Sequence, residues 1–260
     1  MSEELKSCCA HLYESDFTRL LLGDSFHPGG LRLTRRVGEL LLLGPDARVL
    51  DVASGMGESA IFLARHFGCE VVGIDFGAAN VQEASDRAVA SGVVERVSFH
   101  QGDAEKLDLP DGSFDAVICE CAFCTFPDKH AAAREFARIL KPGGRVGLSD
   151  LTRCAVLPSE LQGLLAWIAC IGDARPAHEY VKSLEAAGVT GLTVEQHDEA
   201  LAEMVREIQG KLLGAELMSK LKKLDLDGVD FAQAKALAHA AADAVRMKTL
   251  GYALVTGQKA

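Results

Sequence analysis

Little in this chain is basic. Its 260 residues carry a net charge of −10, and no long cluster of lysine and arginine interrupts the acidic balance. The nearest approach, Lys220-Leu221-Lys222-Lys223, is soon followed by Asp225 and Asp227 and reads as a solvated helix end. Binding along a phosphate backbone needs a basic surface, so no nucleic-acid partner is expected. Long apolar runs are missing too. The most conspicuous, Leu40 to Leu43, is far too short to span a bilayer, so no membrane partner is expected. The acidic opening Met1-Ser2-Glu3-Glu4 shows no apolar segment of a secretory signal, which makes the cytoplasm the expected compartment. There are no internal repeats or low-complexity tracts, and Trp167 is the only tryptophan, expected in the core.

Cysteine is plentiful by contrast. Eight of them in a reducing compartment are expected as thiols, used for packing or for soft-metal chemistry. A structural zinc site lacks its second half: Cys121-x-x-Cys124 has ligand-pair spacing, but no second such pair or paired histidine follows. Hydrophobic content of 48% against 25% charged residues describes a globular chain with a substantial core.

The most informative stretch is Ala47-Arg48-Val49-Leu50-Asp51-Val52-Ala53-Ser54-Gly55-Met56-Gly57-Glu58-Ser59. It reads as an apolar strand with an acid, a turn with two glycines, then a helix. Gly55 and Gly57 leave room for a ligand to reach the backbone and take positive φ without a Cβ clash. The helix start offers free N–H groups. Together these predict a nucleotide-like cofactor at the first strand of an α/β sheet. Gly55 to Ala60 also fits the short dinucleotide pattern. Glu58, however, falls in the first helical turn, where it would repel a pyrophosphate. S-adenosylmethionine (SAM) has no phosphate and carries a sulfonium and an ammonium, so the acids Asp51 and Glu58 favour it.

Further strands follow in order. Glu70 to Asp75 ends in an acid at the distance expected for a ribose-binding carboxylate, with a plain helix cap as the alternative. Arg96 to Gln101 is a third strand, with Asp103 just beyond it, and Phe114 to Cys119 is a fourth. A helix over 129–140 is stopped by Pro142-Gly143-Gly144, which turns into a strand over 145–150. Helices are expected at 160–172 and 178–187, a sixth strand at 192–196, helices at 199–214, 216–223 and 231–247, and a last strand at 251–256. A leader over residues 1–30, with a helix near 10–20 and the His27-Pro28-Gly29-Gly30 turn, leads into helix 31–43 and is expected to act as a lid. The expected organisation is thus a lid segment 1–30, a cofactor-binding core 31–198, a helical insertion 199–247 and a final core strand within 248–260. The insertion is too long for a simple connection and too patterned for disorder; it is expected to cover the acceptor pocket or form a homodimer face.

The succession D-V-A-S-G-M-G from Asp51, G-I-D from Gly73, Q-G-D-A from Gln101, F-D-A-V-I from Phe114 and L-K-P-G-G-R-V from Leu140 resembles the class I SAM-dependent methyltransferases over about residues 45–150. The resemblance implies an α/β fold: a seven-stranded Rossmann-like sheet with helices on both faces, its last two strands antiparallel. It implies that Asp51, Ala53, Gly55 and Gly57 hold the cofactor's methionine part, Asp75 its ribose hydroxyls, and Asp103 with Ala104 its adenine. Glu120 and Cys121 follow the fourth strand, where that family lines the methyl-transfer face. Ser54 stands where many members have glycine.

The transfer is an in-line displacement that requires alignment and exclusion of water. An oxygen acceptor also needs a base; a soft nucleophile does not. Within the class, the chain resembles the trivalent arsenic and the ubiquinone/menaquinone methyltransferases. Cys119 to Lys129, with its Pro-Asp-Lys ending, is similar to the post-strand segment of the arsenic enzymes. Cys170-Ile171-Gly172-Asp173-Ala174 is similar to the segment where they place an arsenic-binding cysteine, and Cys8-Cys9 to their vicinal pair, whereas their C-terminal cysteine has no counterpart here. The resemblance implies Cys170, Cys9 and Cys121 in catalysis beside Glu120, and Cys8, Cys9, Cys121, Cys124 and Cys170 as metalloid ligands. The alternative acceptor is a small organic molecule (a quinone-type carbon, phenol or thiol), with Glu120 or His27 as base and the cysteines as packing. A non-catalytic SAM-binding protein is the remaining alternative. Cys69 and Cys119 are expected to be core residues.

Overall fold

The computed structural model describes residues 27–161, 170–221 and 229–260, together with Lys6, Leu20 and Leu21. Cys8, Cys9, Trp167 and the helix expected near 10–20 lie outside the described residues. In chain order the elements are α1 (Gly30–Leu40), β1 (Arg48–Val52), α2 (Glu58–Phe67), β2 (Glu70–Asp75), α3 (Ala78–Ala90), β3 (Val97–Gln101) and β4 (Phe114–Glu120). Then come α4 (Lys129–Ile139), β5 (Leu140–Arg153), α5 (Ala177–Ala186), β6 (Val189–Gln196), α6 (Asp198–Lys220), α7 (Phe231–Arg246) and β7 (Leu250–Lys259).

The strands form one seven-stranded sheet in the order β3-β2-β1-β4-β5-β7-β6. Strands β1 to β5 pair in parallel, and β7 runs antiparallel to both β5 and β6. Helices flank both faces, so the central strands carry unbroken apolar runs rather than alternation: Val49, Leu50, Val52, Val117 and Ile118 are all fully buried. Helix α1 lies close over β5, where a Cβ on Gly147 would stand 2.8 Å from Val37 Cγ1.

Three expectations are corrected. Lys141-Pro142-Gly143-Gly144 ends α4 but does not delay β5 to residue 145. Leu140 already pairs with Phe114, and the register resumes with Arg145 opposite Ala116, so Lys141–Gly144 is a bulge inside the strand. The helices expected at 199–214 and 216–223 are one helix, α6, running without a break to Lys220, and Lys222 and Lys223 lie outside the described residues. Of the helix expected at 160–172, the described residues are a 3₁₀ turn over Ser159–Leu161 and a turn at 170–172, with Cys170 in the left-handed region.

Helices α6 and α7 pack on each other and against β7. Helix α6 also contacts the chain N-terminal to β1. Lys211 Nζ donates to the Leu21 carbonyl at 2.9 Å, and Arg32 pairs with Glu203 at 3.1 Å. Among the described residues, no helix is long and apolar enough to cross a membrane.

Candidate active site

The glycine turn takes its shape from three backbones in the left-handed region: Ala53 at φ 59°, Gly55 at 52° and Gly57 at 79°. Gly57 caps α2, and a Cβ there would come within 2.5 Å of Phe99 Cζ, so no other residue fits. Ala53 has a side chain and still adopts this conformation, at a cost of about 1–3 kcal/mol that the surrounding fold must impose. Asp75, at the tip of β2, braces the turn. Its Oδ2 accepts from Gly55 N at 2.8 Å, and its Oδ1 accepts from Gly77 N at 2.8 Å and Asn80 Nδ2 at 3.2 Å.

Above these strand tips lies a cleft of about 870 Å³, its solvent-filled mouth included. Ala53, Gly55, Asp75, Asp103, Ala104, Glu120 and Cys121 line it, so most of the expected cofactor residues come together; Asp51 and Gly57 stand behind the wall. Sequence reasoning missed Lys6, whose Nζ donates to both Asp103 oxygens at 2.9 and 2.8 Å and to Glu105 Oε2 at 2.6 Å. The available signal was a single lysine in an acidic leader. None of the described lining residues comes from α6 or α7.

At the tip of β4, Glu120 Oε2 accepts from Ser59 Oγ at 2.6 Å and Thr34 Oγ1 at 2.9 Å, and His27 Nε2 lies 3.4 Å away. His27 is therefore a buried neighbour of this face rather than a surface turn residue. Glu120 Oε1 and Asp51 Oδ2 are both buried with no hydrogen-bond partner among the described residues. Burial, with Glu120 and Asp75 adding their charge, holds the Asp51 carboxyl well above the usual carboxylate range. Two orphaned carboxylate oxygens at adjacent strand tips suit a cation that brings its own N–H donors, and a buried unmatched acceptor is costly without one. The ammonium of SAM fits this requirement, and a pyrophosphate does not.

Beside them, Cys121 and Cys170 also adopt left-handed backbones, at φ 53° and 62°. The Cys170 thiol donates to the Cys121 carbonyl at 3.1 Å, and the thiols of Cys121 and Cys124 both engage it. Cys121 faces the cleft, while Cys124 and Cys170 are buried behind it. Asp150 lies beneath, accepting from Cys124 N at 2.8 Å and Leu151 N at 2.7 Å; burial, then the Cys170 sulfur, pushes its carboxyl up to about 7. Hydrogen bonding to Cys170 and burial push the Cys121 thiol up, and burial pushes Cys124 up as well. Among the described residues, no three His, Cys, Asp or Glu side chains are arranged to hold a metal ion. Cys119 is core, and burial lifts the Cys69 thiol to about 11. Phe126 walls the cleft, whereas Phe123 packs in the core between Phe136 and Tyr180. His178 is exposed in the first turn of α5.

Residues 49–144 match the protein family described as Methyltransferase domain. The chain is 31% identical over 232 residues to the 27-O-demethylrifamycin SV methyltransferase of Amycolatopsis mediterranei, covering 88% of this chain and 83% of that one. It is 31% identical over 169 residues to the methyltransferase GfsG of Streptomyces halstedii, covering 64% of this chain but only 61% of the relative's length. Among solved structures, Haemonchus contortus phosphoethanolamine N-methyltransferase 2, in complex with S-adenosyl-L-methionine, superposes with a TM-score of 0.83 at 17% identity, over 98% of this chain and 60% of that one.

Proposed function

The chain belongs to the class I SAM-dependent methyltransferases, and on that premise we propose that it methylates a small thiophilic acceptor, with trivalent arsenic as the leading case. The observation that carries this reading is the meeting of Cys121, Cys124 and Cys170 at the tip of β4, with Cys121 in the cleft wall. Asp103 and Ala104 would hold the adenine and Asp75 the ribose. Asp51 and Glu120 would take the ammonium, while the glycine turn admits the methionine part. When bound, the cofactor supplies an electrophilic methyl on its sulfonium.

Raised thiols do not prevent capture of a trivalent metalloid hydroxide. Each thiol exchanges for a hydroxide, and its proton leaves in the water released. The metalloid's lone pair then needs no general base. Cys170 and Cys121 would be ligands, with Cys8 or Cys9 of the leader completing the set. A cytoplasmic setting, which keeps these thiols reduced, belongs to the same reading.

A second reading is favoured by the Glu120–His27 contact on the same face and by the rifamycin methyltransferase relative. There the acceptor is a small organic molecule, Glu120 or His27 takes its proton, and the cysteines only pack. The deciding measurement is SAM turnover with arsenite and a thiol reductant, in wild type, Cys170→Ser and Cys9→Ser. Methylated arsenic formed by wild type and lost in both variants supports the thiolate site; no arsenite-dependent turnover by wild type transfers the assignment to the organic acceptor.

A further inference from the structure

We propose that Thr34 and Ser59 are positioning residues that aim Glu120 at the cofactor's ammonium, tying α1 and α2 to cofactor capture. The inference rests on the reading that the methionine end of SAM lies at Glu120.

The distribution of donors carries it. A carboxylate offers two equivalent oxygens, and an ordinary packing contact has no reason to prefer one. Here both hydroxyls donate to Oε2, at 2.6 and 2.9 Å, and Oε1 receives nothing from the described residues. The donors come from separate elements: Thr34 from the buried face of α1, Ser59 from the first turn of α2. A threonine in the middle of a helix commonly returns its hydroxyl to the carbonyl four residues back. Thr34 instead reaches 86 positions along the chain to the tip of β4. Two donors from different directions fix the rotation of the carboxyl group, and that fixes where Oε1 points. Asp51 Oδ2, the other orphaned oxygen, belongs to the neighbouring strand β1 and is close enough for Glu120 to raise its carboxyl. Binding an ammonium between two carboxylates depends on their preset direction, because the site then loses little freedom when the ligand arrives.

A purely structural role would make the same contacts, so the test must separate direction from stability. Binding of SAM, S-adenosylhomocysteine and 5′-methylthioadenosine is measured for wild type, Thr34→Val/Ser59→Ala and Glu120→Gln. Methylthioadenosine shares the adenine, ribose and thioether but lacks the ammonium. The double variant is expected to weaken SAM and S-adenosylhomocysteine about tenfold, the size of a lost hydrogen bond to a charged group, while methylthioadenosine stays within about twofold. In the Glu120→Gln background the two substitutions should add nothing further, because they act through that carboxylate. Ser59→Thr, which keeps the hydroxyl, should retain affinity. Equal weakening of all three nucleosides, or additive effects with Glu120→Gln, would overturn the proposal. A Glu120→Gln variant that binds SAM as well as wild type would overturn the placement of the ammonium itself.

Discussion

Asp51 illustrates how much one buried carboxylate can report. In the fold it keeps its proton above the pH at which the unfolded chain has lost it, about 3.9. The folded state then binds more protons than the unfolded state, so stability of the cofactor-free protein falls as pH rises from about 4 through the folded value, and levels off above it. Thermal melts of wild type against Asp51→Asn should show this slope and its loss. An ammonium seated beside Asp51 favours the ionised form, so SAM binding should release a proton and tighten with pH over the same range; an unchanged affinity would count against that seat. Gly57 gives a simpler test. Alanine there combines a positive φ with a Cβ 2.5 Å from Phe99, and should lower stability in urea by about 1–3 kcal/mol and abolish tight SAM binding. The glycine turn and the acids at the ends of β1 and β2 were legible in the sequence because strand, acid and glycine spacing is local. The braces were not: Asp75 to Gly55 spans 20 positions and Thr34 to Glu120 spans 86, and a serine or threonine on a helix carries no local sign of its partner.

Among the elements, β4 and β5 separate what local chemistry shows from what pairing decides. Pro142-Gly143-Gly144 stops a helix on its own account, and α4 does end at Ile139. Whether the next residues join the sheet depends on Phe114 across the way, which draws Leu140 into register and leaves the intervening residues as a bulge. Helices were expected separately at 199–214 and 216–223, yet α6 passes through Gly210 and Gly214 to Lys220, since a glycine inside a helix costs only about 1 kcal/mol. The tip of β4 is the more consequential case. The cysteines around it were visible in sequence, but the left-handed backbone that puts Cys121 in the cleft wall was not. Cys121→Gly should relieve that conformation and melt no lower than wild type. If the acceptor is thiophilic, the same variant loses arsenite-dependent methylation, which separates the thiol's chemistry from its packing. Retained arsenite turnover would remove Cys121 from the ligand set.

At the scale of the molecule, the two halves of the sheet have different tasks. The described cofactor-cleft residues come from the parallel half, β1 to β4, and from Lys6 of the leader. Among the described residues, α6 lines no part of the cleft and instead meets the leader, through Lys211 on the Leu21 carbonyl, and α1, through Glu203 on Arg32. Lys6 then pairs with Asp103 in the cleft wall and with the nearby Glu105. The described points of the leader thus meet both α6, at Leu21, and the cleft, at Lys6, so the proposed lid would draw on the insertion as well as on the leader. Removing residues 1–26, which keeps His27 and α1, separates the two tasks. The Lys6 pairs are partly exposed and worth about 0–1 kcal/mol, and on the proposed placement of the adenine at Asp103 their loss removes a competitor, so SAM affinity should change by no more than about threefold. Turnover should fall by tenfold or more, about 1.4 kcal/mol in the barrier, because water then reaches the methyl-transfer face and any leader thiol is gone. Lys6→Ala alone should leave turnover near wild type, since the ion pair anchors the leader at only one of its contacts. Full activity in the truncated protein would show that the core aligns the acceptor and excludes water by itself, and the leader would then be an ornament of the fold rather than its lid.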